Sequence, residues 1–305
     1  MAGSQDFVAD PRNAEVLVYL NGDLVRRDEA KVSIFDAGFS MGDGVWEGLR
    51  LHKGALLFLD AHLDRLYAGA KALAIDLGLD REAMKAALRR TLEANGMRDG
   101  AHLRLMATRG LKSTVNQDPR NALGTASIVI TAEWKTPPAR PGKGLALATS
   151  AIRTSGPEVF DMRLNTHSRL NLIRALLQAI EAGGDEALML DPQGNVASCN
   201  ATNFFWVKDG TVFTSGDLYC FNGITRGNVI AACRAGAAPL VQGDFPLDHV
   251  HAADEAFVTG TMGGITGVRE IDGRVLAAPP GPVTQQIAAA YAAMKDADAA
   301  ANPFV

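Results

Sequence analysis

The chain lacks the features that mark several specialised classes of protein. It has three cysteines in 305 residues and no Cys-x-x-Cys spacing, which argues against a disulfide framework and against a zinc site. No apolar run approaches the roughly 20 residues of a membrane span, and 30 basic residues face 34 acidic ones, which argues against an extended nucleic-acid surface. The N-terminus also lacks a signal-peptide pattern. These absences predict a soluble, cytoplasmic protein without a metal, nucleic-acid or membrane partner.

What is present is the composition of an ordinary globular protein. The chain is 47% apolar and 21% charged, with a formal net charge of −4, which excludes wholesale disorder. At about 150 residues per domain, its length predicts two domains or one large one. The segment KTPPARPGKG carries three prolines and two glycines, which is typical of a domain boundary. We therefore predict an N-terminal domain over 1–135, a linker over 136–146 and a C-terminal domain over 147–305.

Apolar spacing and turn dipeptides predict an α+β fold with two sheets. In the first domain they predict hairpins at Asn21-Gly22 and Lys53-Gly54, a strand over 31–35, and helices over 61–78 and 81–95. In the second they predict helices over 168–182 and 226–235 with two hairpins between them, a strand at EAFVTG, and an alanine-rich helix at the C-terminus. The same pattern predicts strands at AHLRLMATRG and ASIVITAEW in the first domain and at LALATSAIRTS in the second.

Several short motifs are ambiguous when each is taken alone. The glycine-rich runs GFSMGDGVWEG and GTMGG are more often tight turns than phosphate cradles. In GITRGNVI, a glycine and Thr225 precede a predicted helix, whose free N–H groups and positive dipole end favour a phosphate. Thr225 as an ordinary helix N-cap is the alternative. His62 and Arg65 share one helical face, with a hydrogen-bonded half-buried histidine and a solvated surface charge as the alternatives.

The order of the motifs is far more specific than any one of them. It runs NGDLV, SIFDAGFSMGDGVWEGLR, FLDAHLDRL, GGDEALMLDPQGNVASCNATNFF, FNGITR and FVTGTMGGITGVREIDGR. This series resembles the class IV aminotransferases, the fold-type-IV pyridoxal-phosphate family, from about Leu17 to Met294. The resemblance implies a two-domain α+β fold with pyridoxal 5′-phosphate between the domains. It also implies a homodimer whose partner loops close the active site, with amino acids and 2-oxo acids as small-molecule substrates.

The resemblance also assigns residues to the cofactor phosphate. Arg65 of HLDR matches the arginine that binds the phosphate, and Ile224 and Thr225 of GITR match its backbone and hydroxyl donors. Thr261 of TGT matches a further phosphate ligand, with Gly260 beside it. An arginine fork combined with helix N-terminal amides is chemically suited to a dianion.

The position of the catalytic lysine holds a different residue. In the family, the lysine that bonds to the cofactor lies about 21 residues before the acidic residue of a G-x-D-E-A-L strand. Counting back from Glu186 reaches Asn165, and no lysine lies between Lys143 and Lys208. An asparagine amide is neither a nucleophile nor a base, so the sequence predicts that the cofactor is bound without a covalent bond.

A second position of the cofactor site also departs from the family. The glutamate that pairs with the pyridine nitrogen is replaced by Ser198, while Asn203, which closes the motif, fixes the register. A serine hydroxyl stabilises much less negative charge on the ring than a pyridinium–carboxylate pair allows. Three hypotheses remain open: an aminotransferase, with Lys112 as one substitute lysine; a non-catalytic cofactor-binding protein; or an enzyme that uses His167 or Arg169 instead.

Two further positions bear on the substrate. The resemblance places Trp46 in an aromatic slot near the substrate, with a buried core tryptophan as the alternative. It places Arg104 on a strand where, in branched-chain enzymes, an arginine can face an acidic side chain, with a structural ion pair as the alternative. D-amino-acid enzymes grip the carboxylate with an arginine and a histidine where this chain has Thr114 and Asn116. A D-amino-acid substrate is therefore not expected.

Overall fold

The computed structural model describes residues 3–138, 144–277 and 279–305, in two compact units. The six-strand unit comprises Val8–Thr136, Leu164–Ser168 and Lys295–Val305, and the nine-strand unit comprises Met1–Phe7, Pro137–Arg163 and Arg169–Met294. Both units are therefore discontinuous in sequence. Residues 139–143, in the centre of the predicted linker, lie outside the described residues.

The six-strand unit is an antiparallel sheet in the order β2-β1-β8-β5-β3-β4, with a separate β6–β7 pair. Its strands are β1 (Leu17–Leu20), β2 (Asp23–Arg26), β3 (Gly44–His52), β4 (Ala55–Leu56), β5 (Ala101–Thr108), β6 (Leu111–Lys112), β7 (Ala122–Leu123) and β8 (Ser127–Trp134), and its helices are α1 (Ala37–Met41), α2 (Leu59–Ala72) and α3 (Arg81–Ala94). One sheet face packs with α2 and α3 into a core that includes Leu49, Leu63 and Leu88, all buried. Burying one such side chain contributes roughly 1.5–3 kcal/mol.

Local sequence explains the hairpins but misleads over residues 31–35. Asn21 and Gly22 both have positive φ, 50° and 105°, which is the type I′ turn that matches strand twist. The predicted hairpin is confirmed. The strand predicted over 31–35 is wrong, because no neighbouring strand pairs with it among the described residues. Instead, Asp36 accepts a hydrogen bond from the Gly38 N–H and caps α1.

The nine-strand unit is a mixed sheet in the order β11-β10-β9-β16-β15-β12-β13-β14, with β17 paired to β16. Its strands are β9 (Leu145–Thr149), β10 (Glu186–Leu190), β11 (Val196–Cys199), β12 (Asn203–Lys208), β13 (Thr211–Ser215), β14 (Leu240–Gly243), β15 (Glu255–Gly260), β16 (Gly264–Ile271) and β17 (Arg274–Val275), and its helices are α4 (Leu170–Glu181), α5 (Ile224–Ala232), α6 (Leu247–His251) and α7 (Pro282–Ala301). The predicted α+β class is confirmed. Strand β16, which lies between β9 and β15 in this sheet, has no counterpart among the predicted elements.

The central strand β12 is buried on both of its faces. Phe204 and Trp206 point to one core, while Phe205 points to another that includes Val229 of α5. The rings of Phe205 and Phe257 stack with their centroids 5.0 Å apart. This packing fixes α5 against the sheet and so fixes where α5 begins. Within the described residues, no helix combines the length and apolar character that a membrane crossing requires.

His249 is surrounded by aromatic rings at one side of this sheet. The Trp206 indole N–H donates to His249 Nδ1 at 2.9 Å. The rings of Phe213 and Phe245 lie with their centroids 4.7 Å and 5.0 Å from the imidazole. Desolvation by these neighbours, followed by the charge of Lys208, lowers the pKa of His249. The folded protein therefore favours the neutral imidazole, which accepts the indole hydrogen bond.

This environment predicts a loss of stability on mild acidification. Below the unfolded pKa of about 6.5, the unfolded chain protonates His249 while the folded chain resists it, so the stability falls as the pH drops. His249→Asn keeps an acceptor for Trp206 but does not titrate. We expect the melting temperature of the variant to fall less than that of the wild type between pH 7.5 and 5. Equal losses in the two proteins would contradict the assignment.

Candidate functional site

Asn165 is hydrogen-bonded to the edge of β3 through both its backbone and its side chain. The Trp46 N–H donates to the Asn165 carbonyl at 2.9 Å, and the Asn165 amide donates to the Trp46 carbonyl. Nearby, the His167 N–H donates to the Gly44 carbonyl at 2.9 Å. Residues 164–168 thus cover the first half of β3. Asn165, at the predicted lysine position, therefore has a buried side chain that joins residues 164–168 to β3.

Trp46 and Arg104, the two predicted substrate residues, are in direct contact. The Arg104 guanidinium carbon lies 3.7 Å from the centre of a Trp46 ring, a cation–π arrangement. The Trp46 indole N–H donates to the Thr166 carbonyl at 2.9 Å. Trp46 is half-buried, so the core-tryptophan alternative is wrong. The ion-pair alternative for Arg104 is also wrong, since no described carboxylate lies within salt-bridge distance of this exposed guanidinium.

Arg65 is fixed by a carboxylate that the sequence analysis did not single out. Arg65 Nε and Nη2 donate to Glu47 Oε1 and Oε2 at 2.7 and 2.6 Å, and His62 Nδ1 lies 2.7 Å from Oε2. Burial opposes ionisation of Glu47, but hydrogen bonds from Arg65 and His62 hold its pKa below the usual range. Arg65 is 16% exposed, so the interpretation as a solvated surface charge is wrong. A lone carboxylate in the apolar strand GVWEGLRLH was the available signal.

In the nine-strand unit, the N-terminus of α5 carries no side-chain cap. Its N-cap is Gly223, with φ −64° and ψ 142°, and α5 begins at Ile224. The N-cap interpretation of Thr225 is therefore wrong, because this residue lies inside the first turn. The buried Thr225 hydroxyl lies 3.5 Å from the Tyr291 hydroxyl. Uncapped N–H groups at the positive end of a helix dipole are suited to an anion.

Gly260 and Thr261 lie at the turn between β15 and β16. Gly260 pairs with Gly264 across this turn, and Gly264 has a left-handed φ of 64°, which favours glycine. The preceding residue, Thr259, is the direct strand partner of Asn203. The Thr259 hydroxyl is buried and has no hydrogen-bond partner among the described residues. The turn is thus placed beside the first residue of β12.

Ser198, the residue in the pyridine-nitrogen slot, is buried and hydrogen-bonded. Its hydroxyl donates to the Thr202 carbonyl at 2.9 Å and accepts from Asn203 Nδ2 at 3.3 Å. Glu186, the residue that set the register, accepts hydrogen bonds from the hydroxyls of Ser4 and Thr202. The Ser198 position therefore presents a hydroxyl within a buried hydrogen-bond network.

The remaining candidates each have a structural contact. Lys112 is buried, and its ammonium donates to the Asn116 carbonyl. Arg169 directly precedes α4, and its guanidinium carbon lies 5.7 Å from the centre of the Phe221 ring. His167 lies in the segment that pairs with β3. None of these contacts indicates a catalytic role.

The predicted residues form two groups, one in each unit. Asn165, Trp46 and Arg104 meet at β3 of the six-strand unit, and Arg65 is tied to Glu47, the neighbour of Trp46. In the nine-strand unit, Asn203 connects Ser198 to the loop before α5, where Ile224 and Thr225 begin the helix. Gly260 ends β15, the strand that pairs with β12 at Asn203, and Thr261 begins the turn that follows.

Comparison with known proteins identifies relatives over nearly the whole chain. "Branched-chain-amino-acid aminotransferase-like protein 2" of Arabidopsis thaliana is 40% identical over 287 residues, 94% of this chain but 51% of the relative. The chain therefore spans about half the length of that relative. "Putative branched-chain-amino-acid aminotransferase" of Methanocaldococcus jannaschii is 39% identical over 261 residues, covering 85% of this chain and 89% of the relative.

Solved structures show the same fold. The branched-chain aminotransferase of Thermoproteus uzoniensis with norvaline is 31% identical, with a TM-score of 0.81 over 91% of this chain and 93% of the other. A T. th. branched-chain amino acid aminotransferase complexed with N-(5′-phosphopyridoxyl)-L-glutamate is 29% identical, with a TM-score of 0.84 over 92% and 95%. These neighbours confirm the predicted fold-type-IV architecture. The family described as "Amino-transferase class IV" matches residues 44–271, and the chain belongs to that family.

Proposed function

We propose that the protein binds pyridoxal or pyridoxamine 5′-phosphate through the cofactor phosphate, without a covalent bond to its own chain. By resemblance, its substrate class is amino acids and 2-oxo acids. The observation that carries the proposal is the amide of Asn165, which donates to the Trp46 carbonyl where the family has its lysine. Related solved structures contain a phosphopyridoxyl group or pyridoxamine phosphate, which supports the choice of cofactor.

The residues present fit a phosphate dianion. The α5 N-terminus has no side-chain cap, so Ile224 and Thr225 are suited to donate from the backbone and the hydroxyl. Gly260 and Thr261 would add donors from the turn after β15. In the six-strand unit, Arg65 is by resemblance the arginine that forms a charge-assisted bond with the phosphate, and Glu47 orients its guanidinium through two hydrogen bonds. A charge-assisted bond of this kind contributes roughly 1.5–3 kcal/mol.

The residues at the ring end bind and orient but do not transfer protons. When bound, the cofactor supplies an electron sink for bonds at the α-carbon of an amino acid. Asn165 supplies no amine to bond with the cofactor and no base to move the α-proton. Ser198 can hydrogen-bond the ring nitrogen but provides no carboxylate to keep it protonated. We therefore propose a cofactor-binding family member without ordinary transamination, with Trp46 and Arg104 on the substrate side.

We also propose that the protein is a homodimer. Apolar side chains are exposed around α1 and the β6–β7 pair of the six-strand unit: Val32, Ile34, Phe35, Phe39, Met41, Leu111 and Leu123. The patch is continuous, because the Lys112 N–H donates to the Phe35 carbonyl at 3.0 Å and Leu111 pairs with Leu123. A contiguous apolar surface of this kind is typical of an interface.

Phe39→Asp should shift the protein toward the monomer, because a charge in a dimer interface loses its hydration. Light scattering after size exclusion measures the change. Val275→Asp alters a 78% exposed apolar side chain elsewhere and should leave the mass unchanged. A monomeric wild type, or equal masses for all three proteins, contradicts this interface.

The position of Asn165 predicts that borohydride traps no cofactor on the chain. After incubation with pyridoxal phosphate and reduction, peptide mapping should find no pyridoxyl-lysine in the wild type. Asn165→Lys should gain the adduct at position 165, although it loses the hydrogen bond to Trp46, at a cost of about 0.5–1.5 kcal/mol.

A double variant tests the two positions, 165 and 198, together. Asn165→Lys with Ser198→Glu should convert pyridoxal phosphate in the half-reaction with amino acids, followed by absorbance, while each single variant should not. The two residues act on one reaction, so their effects are non-additive. A stoichiometric adduct on any wild-type lysine would falsify the proposal of non-covalent binding.

Arg65 should contribute to affinity through the cofactor phosphate alone. Arg65→Ala is unsuitable, because removing one partner of a buried pair costs about 3–5 kcal/mol of stability. Arg65→Lys keeps a cation beside Glu47 but loses the bidentate fork, so calorimetry should show pyridoxal phosphate binding about tenfold weaker. Pyridoxal, which lacks the phosphate, should bind unchanged. Trp46→Phe should leave the binding of inorganic phosphate unchanged. If Arg65→Lys and Trp46→Phe weaken phosphate binding equally, Arg65 is misassigned.

A further inference from the structure

Asn203 uses its whole side chain to connect two parts of the nine-strand unit. Its amide nitrogen donates to the Phe221 carbonyl at 2.6 Å and to Ser198 Oγ at 3.3 Å. Its amide oxygen lies over Gly223, where an added Cβ would come within 2.3 Å of that oxygen. The amide has two hydrogens, and these two contacts employ both of them. The side chain is buried, so water does not compete for these bonds.

The Phe221 carbonyl, which accepts from Asn203, also accepts a hydrogen bond from the N-cap residue of α5. The Gly223 N–H donates to the Phe221 carbonyl at 3.0 Å, so Asn203 and Gly223 share one acceptor. Asn203 and the N-cap residue Gly223 therefore hold the same carbonyl, two residues before the N-cap. No described side chain caps this end of α5.

The start of the same loop is anchored from the opposite direction. Arg226, buried on α5, donates from Nη2 to the Ser215 carbonyl at 2.7 Å and from Nη1 to Asp217 at 2.8 Å. The Ser215 hydroxyl in turn donates to the Ala197 carbonyl at 2.5 Å, next to Ser198. The loop 216–223 is thus fixed at its first residues by Arg226 and at its last by Asn203. Its position is set by buried polar contacts at both ends.

We propose that Asn203 is a positioning residue that couples the ring-nitrogen slot at Ser198 to the phosphate-binding N-terminus of α5. The inference rests on the proposed function, since it concerns how one ligand is held at two ends. The Ser198 hydroxyl has a single proton, which it gives to the Thr202 carbonyl, and it receives the Asn203 amide on a lone pair. A change at Ser198 therefore reaches the Gly223 N-cap through Asn203, although Ser198 has no place in the phosphate site.

The test measures coupling with inorganic phosphate as the probe, because phosphate has no ring. Ser198→Ala should weaken phosphate binding at least twofold in the wild-type background and have no effect in the Asn203→Leu background. Asn203→Leu alone should weaken both phosphate and pyridoxal phosphate about tenfold. Asn228→Leu is the matched control on α5, because the Asn228 amide nitrogen has no hydrogen-bond partner among the described residues. It should leave both dissociation constants unchanged.

A second variant keeps the test decisive if Asn203→Leu does not fold. Gly223→Ala places a methyl group against the Asn203 oxygen and should weaken phosphate binding by the same route. Adding Ser198→Ala to Gly223→Ala should weaken phosphate binding by less than the product of the two single effects, because both changes act through Asn203. A loss equal to the full product would overturn the coupling.

The outcomes separate this inference from the proposed function. If the wild type binds neither phosphate nor pyridoxal phosphate, the proposed function fails and the coupling fails with it. If the wild type binds both, but Asn203→Leu matches Asn228→Leu or Ser198→Ala has no effect on phosphate, only the coupling is overturned. If Ser198→Ala acts equally in both backgrounds, Asn203 is not the connection.

Discussion

A carboxylate in the middle of β3 has to be neutralised from α2, and much of the six-strand unit depends on that pairing. Glu47 has no exposed surface, and an unpaired buried charge is costly. Arg65 and His62 reach it from α2, so the helix is held at one position along the strand. The arginine that resembles a phosphate ligand is consequently orientated by a neighbour before any ligand arrives. Preorganisation of this kind lowers the entropy lost on binding.

The same strand also carries the contacts of Asn165, the residue that the resemblance places at the lysine position. Trp46, next to Glu47, exchanges hydrogen bonds with Asn165 and stacks with Arg104. An asparagine suits this position because its short amide can reach a backbone carbonyl, which a catalytic lysine has no need to do. At the other end, Ser198 is integrated into a network of neutral hydrogen bonds with Thr202 and Asn203. Asn165 and Ser198 thus both hydrogen-bond to groups of the chain itself.

Elements with strong local signals were predictable from sequence. The Asn21-Gly22 dipeptide fixes its turn, and apolar periodicity places α3 to within one residue at each end. It also places the start of α2 to within two residues, but α2 ends at Ala72, six residues before the predicted end. Strand β16 was missed, because its glycines and charges show no apolar alternation and its formation depends on β9 and β15. Residues 31–35 have the opposite character, with strand-like alternation but no partner strand among the described residues. Tertiary pairing decided both cases.

In the site, motif order indicated the family but not the contacts. Thr225 as an N-cap was wrong because the extended backbone at Gly223 moves the helix start forward. Glu47 was missed because a single sequence does not reveal which carboxylate will be buried against Arg65. Such pairs join residues that are distant in sequence or lie on different elements. They become visible only when the chain is folded.

The pairing of residues 164–168 with β3 has a consequence for the order in which the chain can fold. Asn165 and Trp46 are 119 residues apart, so the first half of β3 has an open edge until the later segment has been synthesised. During translation the six-strand unit therefore presents unpaired N–H and C=O groups, a state prone to edge-to-edge association. Gly44 and Gly48, together with the charge of Glu47, give this edge little tendency to pair with a foreign strand. The final closure of this unit requires contacts between residues that are distant in sequence, and contacts of that kind form slowly during folding.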